Sequence, residues 1–322
     1  MASAQKMTSR YLTLTDGKGL KGTFSTRGAG VQSLTLDGKP LILELADREA
    51  YLSANQFFGK TLGRVAGRIP ADFAIGQKHY HVLGDDQGIC LHGGILKSLS
   101  FRNFRALKKK DAIAFTYLSP DGECGFPGNL KVKVTYTMPK GKNTLTIRFE
   151  VTTDKATPVA FSNHIYWNVF NSKDVNDYKL QVLASKIGVF KKDCQLIAKT
   201  KKVSKAFDFR KLSSLKDKLD AIEKEVPEIG TLDHSLLLDK PDPKIPQVVM
   251  DTKDITLKVF TNFDAINLYV DSSLSPTVFT NRNDFERRRA IAIEPEAYML
   301  DNLILKPKQK YDHFIRYQII KK

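Results

Sequence analysis

Alternating apolar and polar residues dominate this chain, in short runs that turn residues separate. Every second residue is apolar over 130–138, and the same period of two returns over 145–151. A period of two is the pattern of a half-buried β-strand. The five residues 139–143 between the runs include a proline, a glycine and an asparagine. The two runs are therefore predicted to form a β-hairpin.

Similar runs recur along most of the sequence, and Gly-, Asp- and Ser-containing turns separate them. Many short strands with frequent turns are typical of a β-sandwich or a β-barrel. The chain contains no Pro/Ser-rich linker, low-complexity stretch or internal repeat, so residues 1–322 are predicted to form one domain. The further alternating runs are 31–36, 112–118, 255–261, 265–270 and 313–319.

One region departs from the strand pattern. Apolar residues recur at helical spacing from Leu212 to Val226, with charged residues between them, and Pro227 and Gly230 follow. This pattern predicts one amphipathic helix at the edge of an otherwise β protein.

Composition excludes several classes of protein. With 42% hydrophobic and 27% charged residues, the 322-residue chain can bury a large core, so it is not a disordered protein. It contains no apolar stretch of the ~20 residues that a membrane-spanning helix needs, and no secretory signal is recognised at its start. Three widely spaced cysteines, Cys90, Cys124 and Cys194, indicate neither a disulfide framework nor a zinc site. A cytoplasmic protein without a membrane partner is expected.

The strong positive charge of the chain raises the question of nucleic-acid binding. Lys and Arg total 51 and Asp and Glu total 35, which gives a net charge of +16. The lysines are dispersed, however, and no zinc-finger spacing or aromatic RNA-binding motif accompanies them. A solvated basic surface is therefore predicted, and no nucleic-acid partner.

Five short stretches carry residues with catalytic or binding chemistry. Each places a charged or polar side chain beside glycines, aromatic rings or a proline. They are Gly-Arg-Val-Ala-Gly-Arg-Ile (63–69), Leu-His-Gly-Gly (91–94), Phe-Ser-Asn-His-Ile-Tyr-Trp-Asn (161–168), Thr-Leu-Asp-His (231–234) and Ile-Ala-Ile-Glu-Pro-Glu (291–296).

A purely structural interpretation exists for each stretch. His92 beside two glycines can be a turn residue, and the 161–168 stretch can be a buried polar cluster that satisfies its own hydrogen bonds. Glu294 can form a structural ion pair with Arg64 or with one of the arginines at 287–289.

Taken together and in order, these stretches and Phe-Asp-Phe-Arg at 207–210 resemble the successive signatures of the aldose 1-epimerases, also called galactose mutarotases. The resemblance extends over most of the chain, about residues 20–317. It implies an all-β fold, a large β-sandwich of the galactose mutarotase-like supersandwich type with one or two short helices. That fold agrees with the predicted strands.

The resemblance also implies roles for individual residues. His164 corresponds to the general acid of the family and Glu294 to its general base. The aromatic ring of Tyr166 can cover the apolar face of a sugar, and Trp167 can either do the same or lie in the core. The residues expected to contact the sugar are Gly67, Arg68, His92, Tyr166, Asp233 and Asn267.

Three departures from the family pattern bear on the substrate. Many members have Asn-Arg where this chain has Gly67 and Arg68, Asn267 stands in place of a sugar-contacting Gln, and Glu296 replaces a frequent Gln. The acid and the base remain, whereas the preferred sugar is left open among galactose, glucose and disaccharides.

The predicted function is that of an isomerase, a mutarotase that interconverts the α and β anomers of a free aldose such as galactose or glucose. Acid/base opening of the ring needs no cofactor and no metal, and the expected partner is a small-molecule sugar, bound by a monomer or a homodimer. A hexose-6-phosphate mutarotase, a metal enzyme using His92, His164 and Glu294, and a non-catalytic sugar or nucleic-acid binder are the alternatives.

Overall fold

A computed structural model describes residues 9–45, 48–54, 56–190, 196–271, 287–298 and 303–322. Over these ranges the chain forms short antiparallel strands and two α-helices, α1 (Arg48–Ser53) and α2 (Leu215–Glu225). The strands are β1 (Tyr11–Thr15), β2 (Leu20–Ser25), β3 (Gly30–Leu36), β4 (Lys39–Pro40), β5 (Thr61–Leu62), β6 (Arg68–Pro70), β7 (Asp72–Ile75), β8 (Lys78–His81), β9 (Ile89–Leu91), β10 (Arg105–Lys108), β11 (Ala112–Ser119), β12 (Leu130–Thr137), β13 (Thr144–Thr153), β14 (Thr157–Pro158), β15 (Ser162–Asn163), β16 (Tyr166–Trp167), β17 (Lys179–Val182), β18 (Ala184–Phe190), β19 (Leu196–Lys202), β20 (Ser213–Ser214), β21 (Asp233–Leu238), β22 (Val248–Asp251), β23 (Ile255–Thr261), β24 (Ala265–Val270), β25 (Ile291–Glu296), β26 (Ile304–Leu305) and β27 (Tyr311–Lys321).

Three of the sheets build the body of the described structure. Nine strands pair in the order β10-β11-β12-β13-β27-β23-β22-β17-β20, six pair in the order β16-β25-β24-β21-β18-β19, and β1 to β4 form a third sheet. A single cluster of buried apolar side chains includes residues from all three sheets. The all-β class predicted from the alternating runs is confirmed, and of the two architectures that the runs left open, the sandwich implied by the resemblance is the one observed.

Contacts between the nine-stranded and six-stranded sheets show how the layers pack. The ring of Trp167 on β16 lies 4.9 Å from the ring of Tyr317 on β27. The Tyr317 hydroxyl lies 3.4 Å from the carbonyl oxygen of Ile293 on β25. Burial of such aromatic side chains is the main favourable term in packing one layer on the other.

The predicted hairpin is present as β12 and β13. Their antiparallel register runs from Leu130 opposite Thr153 to Thr137 opposite Thr146. In the connection Asn143 has a φ of 46°, a left-handed conformation that asparagine tolerates better than most residues.

The predicted helix begins three residues later than its apolar pattern suggested. Ser214 ends the preceding strand, and its hydroxyl accepts a hydrogen bond from the Asp217 amide, which caps α2. Leu212 therefore lies outside the helix and is 45% exposed, whereas Leu215 and Leu219 are fully buried. In the described ranges, no helix is both long and apolar enough to cross a membrane.

Candidate active site

Alternation along three neighbouring strands places polar side chains on one face of the six-stranded sheet. On β25, Ile291 and Ile293 belong to the apolar core between the sheets. Glu294, between Ile293 and Pro295, therefore points to the opposite face. The register sets Asn267 of β24 opposite Glu294 and Ser235 of β21 opposite Asn267. The apolar core thus fixes a row of polar groups across the other face.

Hydrogen bonds connect this row. The Asn267 side-chain amide donates to Glu294 Oε1 at 3.3 Å. The Ser235 hydroxyl lies 2.7 Å from Glu296 Oε1 and 3.3 Å from Asn267 Oδ1. Glu294 is 1% exposed and Glu296 5% exposed, so two carboxyl groups are buried side by side.

His164 is held over this row by the short strand that precedes it. Asn163 is fully buried, and its side-chain amide donates to the carbonyl oxygen of Gly59. The His164 amide donates to the carbonyl oxygen of Lys60. The imidazole lies 4.6 Å from the ring of Tyr166, and it stacks on Phe57 at 6.2 Å. The polar cluster expected at 161–168 thus serves to fix one catalytic candidate.

His92 is positioned by a turn that only glycine permits. Gly93 has a φ of 79°, and a Cβ at this residue would lie 2.3 Å from the carbonyl oxygen of Gly63. The Gly67 amide donates to His92 Nδ1 at 3.1 Å. This bond places the proton of a neutral ring on Nε2, so His92 presents a hydrogen-bond donor through that atom.

Arg68 and Asp233 form an ion pair at the less buried part of the site. Arg68 Nη2 lies 2.8 Å from Asp233 Oδ2, and the two side chains are 26% and 18% exposed. The guanidinium lowers the pKa of Glu294, although this effect is smaller than that of burial.

Three buried groups that are far apart in sequence meet in the site. One nitrogen of His92, one of His164 and one carboxylate oxygen of Glu294 lie within 4.8 Å of one another. His164 Nε2 is 3.7 Å from Glu294 Oε1, too long for a hydrogen bond. A single hexose ring can therefore contact both groups.

The alternative of a structural ion pair for Glu294 is not supported in the described ranges. Arg64 is buried and donates instead to Ser119 and to the backbone carbonyls of residues 120 and 126–128. Arg288 pairs with Asp220 and Glu223, and Arg289 Nε lies 3.6 Å from Asp271.

Burial shifts the pKa values of the two catalytic candidates, His164 and Glu294, in opposite directions. Desolvation lowers the pKa of His164 to about 4 and holds the pKa of His92 well below its usual range. Desolvation, assisted by the nearby Glu296 carboxylate, raises the pKa of Glu294 well above its ordinary value. Each isolated charge is thus disfavoured in this site.

By distance alone, His92, His164 and Glu294 can surround a metal ion. A histidine that coordinates a metal presents an unprotonated nitrogen, however, and His92 accepts from Gly67 at Nδ1 and carries its proton on Nε2. The hydrogen bonds of the described residues therefore suit proton transfer to an organic substrate better than metal coordination.

Trp167 belongs to the core, so the alternative of a sugar contact for this ring is wrong. Its ring is fully buried and packs against that of Tyr317. Adjacent residues of a strand point to opposite faces. Tyr166 therefore faces the site, where its ring lies 4.6 Å from that of His164.

Three residues that line the site were not predicted from the sequence. Phe57 packs against both His92 and His164, and Tyr269 lies 6.1 Å from the His164 ring. Ser235 completes the polar row. On β21 Ser235 lies two residues beyond Asp233, and on β24 Tyr269 lies two residues beyond Asn267, so the period of two indicates both. Nothing in the local sequence indicates Phe57.

Comparison with known proteins agrees with this geometry. Residues 10–318 match the family model described as aldose 1-epimerase. The aldose 1-epimerase of Escherichia coli strain K12 is 28% identical over 337 aligned positions, covering 97% of this chain and 95% of that protein. The human galactose mutarotase is 28% identical over 290 positions, covering 85% of this chain and 82% of that protein.

A solved structure shows the same architecture. The GalM/aldose epimerase homologue from C. elegans superimposes with a TM-score of 0.88 at 25% identity, covering 98% of this chain and 99% of that one. The large β-sandwich is thus of the galactose mutarotase-like type. The chain belongs to the aldose 1-epimerase family and is an isomerase of the mutarotase type.

Proposed function

We propose that this protein interconverts the α and β anomers of a free aldohexose, such as galactose or glucose, with Glu294 as the general base and His164 as the general acid. One observation carries the proposal. Glu294 Oε2 is buried and has no hydrogen-bond partner among the described residues. The other oxygen, Oε1, lies 3.7 Å from His164 Nε2. A buried carboxylate oxygen without a donor is costly unless a ligand supplies one.

The reaction follows from the donors and acceptors present. Glu294 removes the proton of the anomeric hydroxyl while the His164 imidazolium protonates the ring oxygen. The bond between the anomeric carbon and the ring oxygen breaks, and the aldehyde forms. Rotation about the adjacent carbon–carbon bond presents the other face of the aldehyde. Ring closure with both proton transfers reversed gives the second anomer.

The opposed pKa shifts suit this exchange. The proton moves between two states of equal net charge, the imidazolium with the carboxylate and the neutral imidazole with the carboxylic acid. Burial disfavours both charges of the first state, which shifts the balance toward the neutral imidazole with the carboxylic acid compared with water.

The other predicted residues surround the place that the sugar would take. The His92 Nε2–H and the Arg68 guanidinium are donors for hydroxyl and ring oxygens, and Asp233 is an acceptor. Tyr166 supplies a ring for the apolar face of the sugar, and Asn267 holds the base. Gly67 holds His92 through its backbone amide and leaves space beside Glu296.

The charges near Glu294 favour an unphosphorylated substrate over a hexose 6-phosphate. Among the groups that act on its titration, Asp233 and Glu296 are carboxylates and Arg68 is the cation. Arg68 is engaged by Asp233. A phosphate dianion placed within this set would meet more negative than positive charge.

Polarimetry tests the proposal directly. Freshly dissolved α-galactose and α-glucose should mutarotate faster with the protein than without it, and Glu294→Gln and His164→Asn should each lower kcat by at least about 100-fold. The double variant should be less than additive in free energy, because acid and base act in one step. A non-catalytic sugar binder would bind the sugars without accelerating the change.

Thermal unfolding of the same variants separates catalysis from stability. The carboxyl of Glu294 has a raised pKa, so the stability of the native protein falls as pH rises above the pKa of an unfolded glutamate. Glu294→Gln should therefore keep or raise the thermal midpoint at pH 8 while abolishing activity. A variant with a lowered midpoint and full activity per folded molecule would overturn the assignment.

A further inference from the structure

Glu296 is a second buried carboxyl group in the site, and the reaction as proposed does not use it. Its Oε1 lies 2.7 Å from the Ser235 hydroxyl. A Cβ on Gly67 would lie 3.1 Å from its Oε2, so the glycine leaves room for the carboxyl group. Glu296 is 5% exposed, and it lies two residues beyond Glu294 on the same face of β25.

Ser235 and Asn267 connect Glu296 to Glu294. Ser235 has one hydroxyl proton but two oxygen neighbours, Glu296 Oε1 at 2.7 Å and Asn267 Oδ1 at 3.3 Å. It can donate to only one of them. Asn267 uses its amide nitrogen to reach Glu294 Oε1, which leaves its carbonyl oxygen facing Ser235.

With the Asn267 amide in its present orientation, only one proton arrangement satisfies every contact. When Glu296 is protonated, it donates to the Ser235 oxygen, Ser235 donates to Asn267 Oδ1, and the Asn267 amide donates to Glu294. When Glu296 is ionised, Ser235 donates to it instead. The oxygens of Ser235 and Asn267 then face each other without a proton between them, an arrangement that disfavours the present orientation of the amide.

We propose that Glu296, in its protonated form, is a positioning residue that acts through Ser235 to orient the Asn267 amide onto the carboxylate of Glu294. The inference deepens the proposed function, on which it rests, because it concerns how the base of that reaction is held. The orienting hydrogen bond stabilises Glu294 in the ionised form that accepts the proton of the sugar.

The surroundings of Glu296 are consistent with a protonated group near neutral pH. Burial is the largest influence and raises the pKa of Glu296 to about 7, against the hydrogen bond from Ser235. The charged and titratable groups that face it are Arg68, Asp233, Asp264, Glu294, Tyr298 and Tyr311. The orienting chain should therefore be intact below about pH 7 and lost above it.

The test compares kcat, KM and their pH profiles for five variants in the full-length protein. Glu296→Ala should lower kcat about 10-fold at pH 6 with less than a two-fold change in KM, the order expected for a lost hydrogen bond to a charged group. Ser235→Ala should have the same effect, and the double variant should be no worse than either. Ser100→Ala, which removes another buried hydroxyl that donates to Thr61, is the matched control and should leave the profile unchanged.

Glu296→Gln is the decisive variant, since a glutamine amide donates to Ser235 at every pH. It should restore kcat to within about two-fold of the wild-type value at pH 6. It should also remove the loss of kcat that is expected of the wild type as pH rises through about 7. A glutamine variant as slow as the alanine variant, or one with the wild-type pH profile, would overturn the proposal.

A readout independent of activity keeps this inference separate from the proposed function. If the wild type mutarotates no aldose, the proposed function fails, but the titration of the Glu294 carboxyl can still be followed by carbon-13 NMR. Ser235→Ala should raise the apparent pKa of Glu294, because the oriented amide is lost, and Ser100→Ala should not. An unchanged Glu294 titration in Ser235→Ala would refute the positioning role.

Discussion

Replacement of Lys60 by methionine should stabilise the protein in a pH-dependent manner. Lys60 is fully buried beneath the backbone of His164, with its Nζ 4.6 Å from the ring of Phe101 and 4.8 Å from that of Tyr51. In the described ranges, no carboxylate lies within ion-pairing distance of it. Burial lowers the pKa of Lys60 from 10.5 to about 7, with a smaller contribution from Arg27.

The magnitude follows from this shift. Lowering the pKa from 10.5 to about 7 corresponds to a cost of about 5 kcal/mol for the buried ammonium. Two cation–π contacts offset about 1–2 kcal/mol of that cost. At pH 6 the Lys60→Met protein, which retains an unbranched apolar side chain, should therefore be about 3 kcal/mol more stable than the wild type.

The sign of the pH dependence is fixed by linkage. Below about pH 7 Lys60 is charged in both the native and the unfolded states, so the native state bears the full cost. Between about pH 7 and 10.5 the unfolded state binds more protons, and the wild type becomes more stable as pH rises. The advantage of Lys60→Met should therefore shrink by about 3 kcal/mol between pH 6 and pH 9 and nearly vanish there.

Urea unfolding of both proteins at pH 6 and pH 9 measures this difference. Lys131→Met, at an exposed position on β12, is the matched control, and its effect on the free energy of unfolding should be the same at both pH values. The reasoning fails if Lys60→Met is destabilising at pH 6, or if its effect is equal at the two pH values.

Other predictions concern the site, the core and the surface. Arg68→Ala should raise KM about 10-fold in the polarimetric assay, because it removes a charged hydrogen-bond donor and leaves Asp233 without its 2.8 Å partner. Trp167→Ala should cost about 3–5 kcal/mol in urea unfolding, since the ring is fully buried between the sheets; a cost below about 1 kcal/mol would contradict the core assignment. Gly93→Ala should lower both the thermal midpoint and kcat, because the added methyl meets a carbonyl and displaces His92. The dispersed lysines should give no tight, steeply salt-dependent binding of DNA or RNA, as a filter-binding titration would show.

Local sequence determined much of this fold. Alternation of apolar and polar residues located β12 and β13, because a strand with one face on the core and the other toward solvent must alternate. It also located β23 and β24, although β24 is buried on both faces and its polar residues lie in the site. The helical spacing located α2, although the cap at Ser214 moved its start. The assignment of residues 1–322 to one domain, the cytoplasmic location and the oligomeric state stay predictions.

Local sequence also marked the chemistry, since a buried strand has little reason to carry a carboxylate or an imidazole unless it is used. The residues next to His92, His164 and Glu294 indicated each of them as a candidate, and the family resemblance assigned all three to one site. Their meeting within 4.8 Å depends on the pairing of strands that are distant along the chain. No local pattern encodes that distance.

Tertiary packing decided between residues that look alike in sequence. Arg64 and Arg68 both follow glycines, yet one is buried among carbonyl groups and the other pairs with Asp233 in the site. Tyr166 and Trp167 are adjacent aromatic residues, and the position of the opposite sheet determined which one enters the core. A period of two in the sequence indicates that neighbouring side chains point to opposite faces of the strand. Which face is buried depends on the layer that packs against the strand.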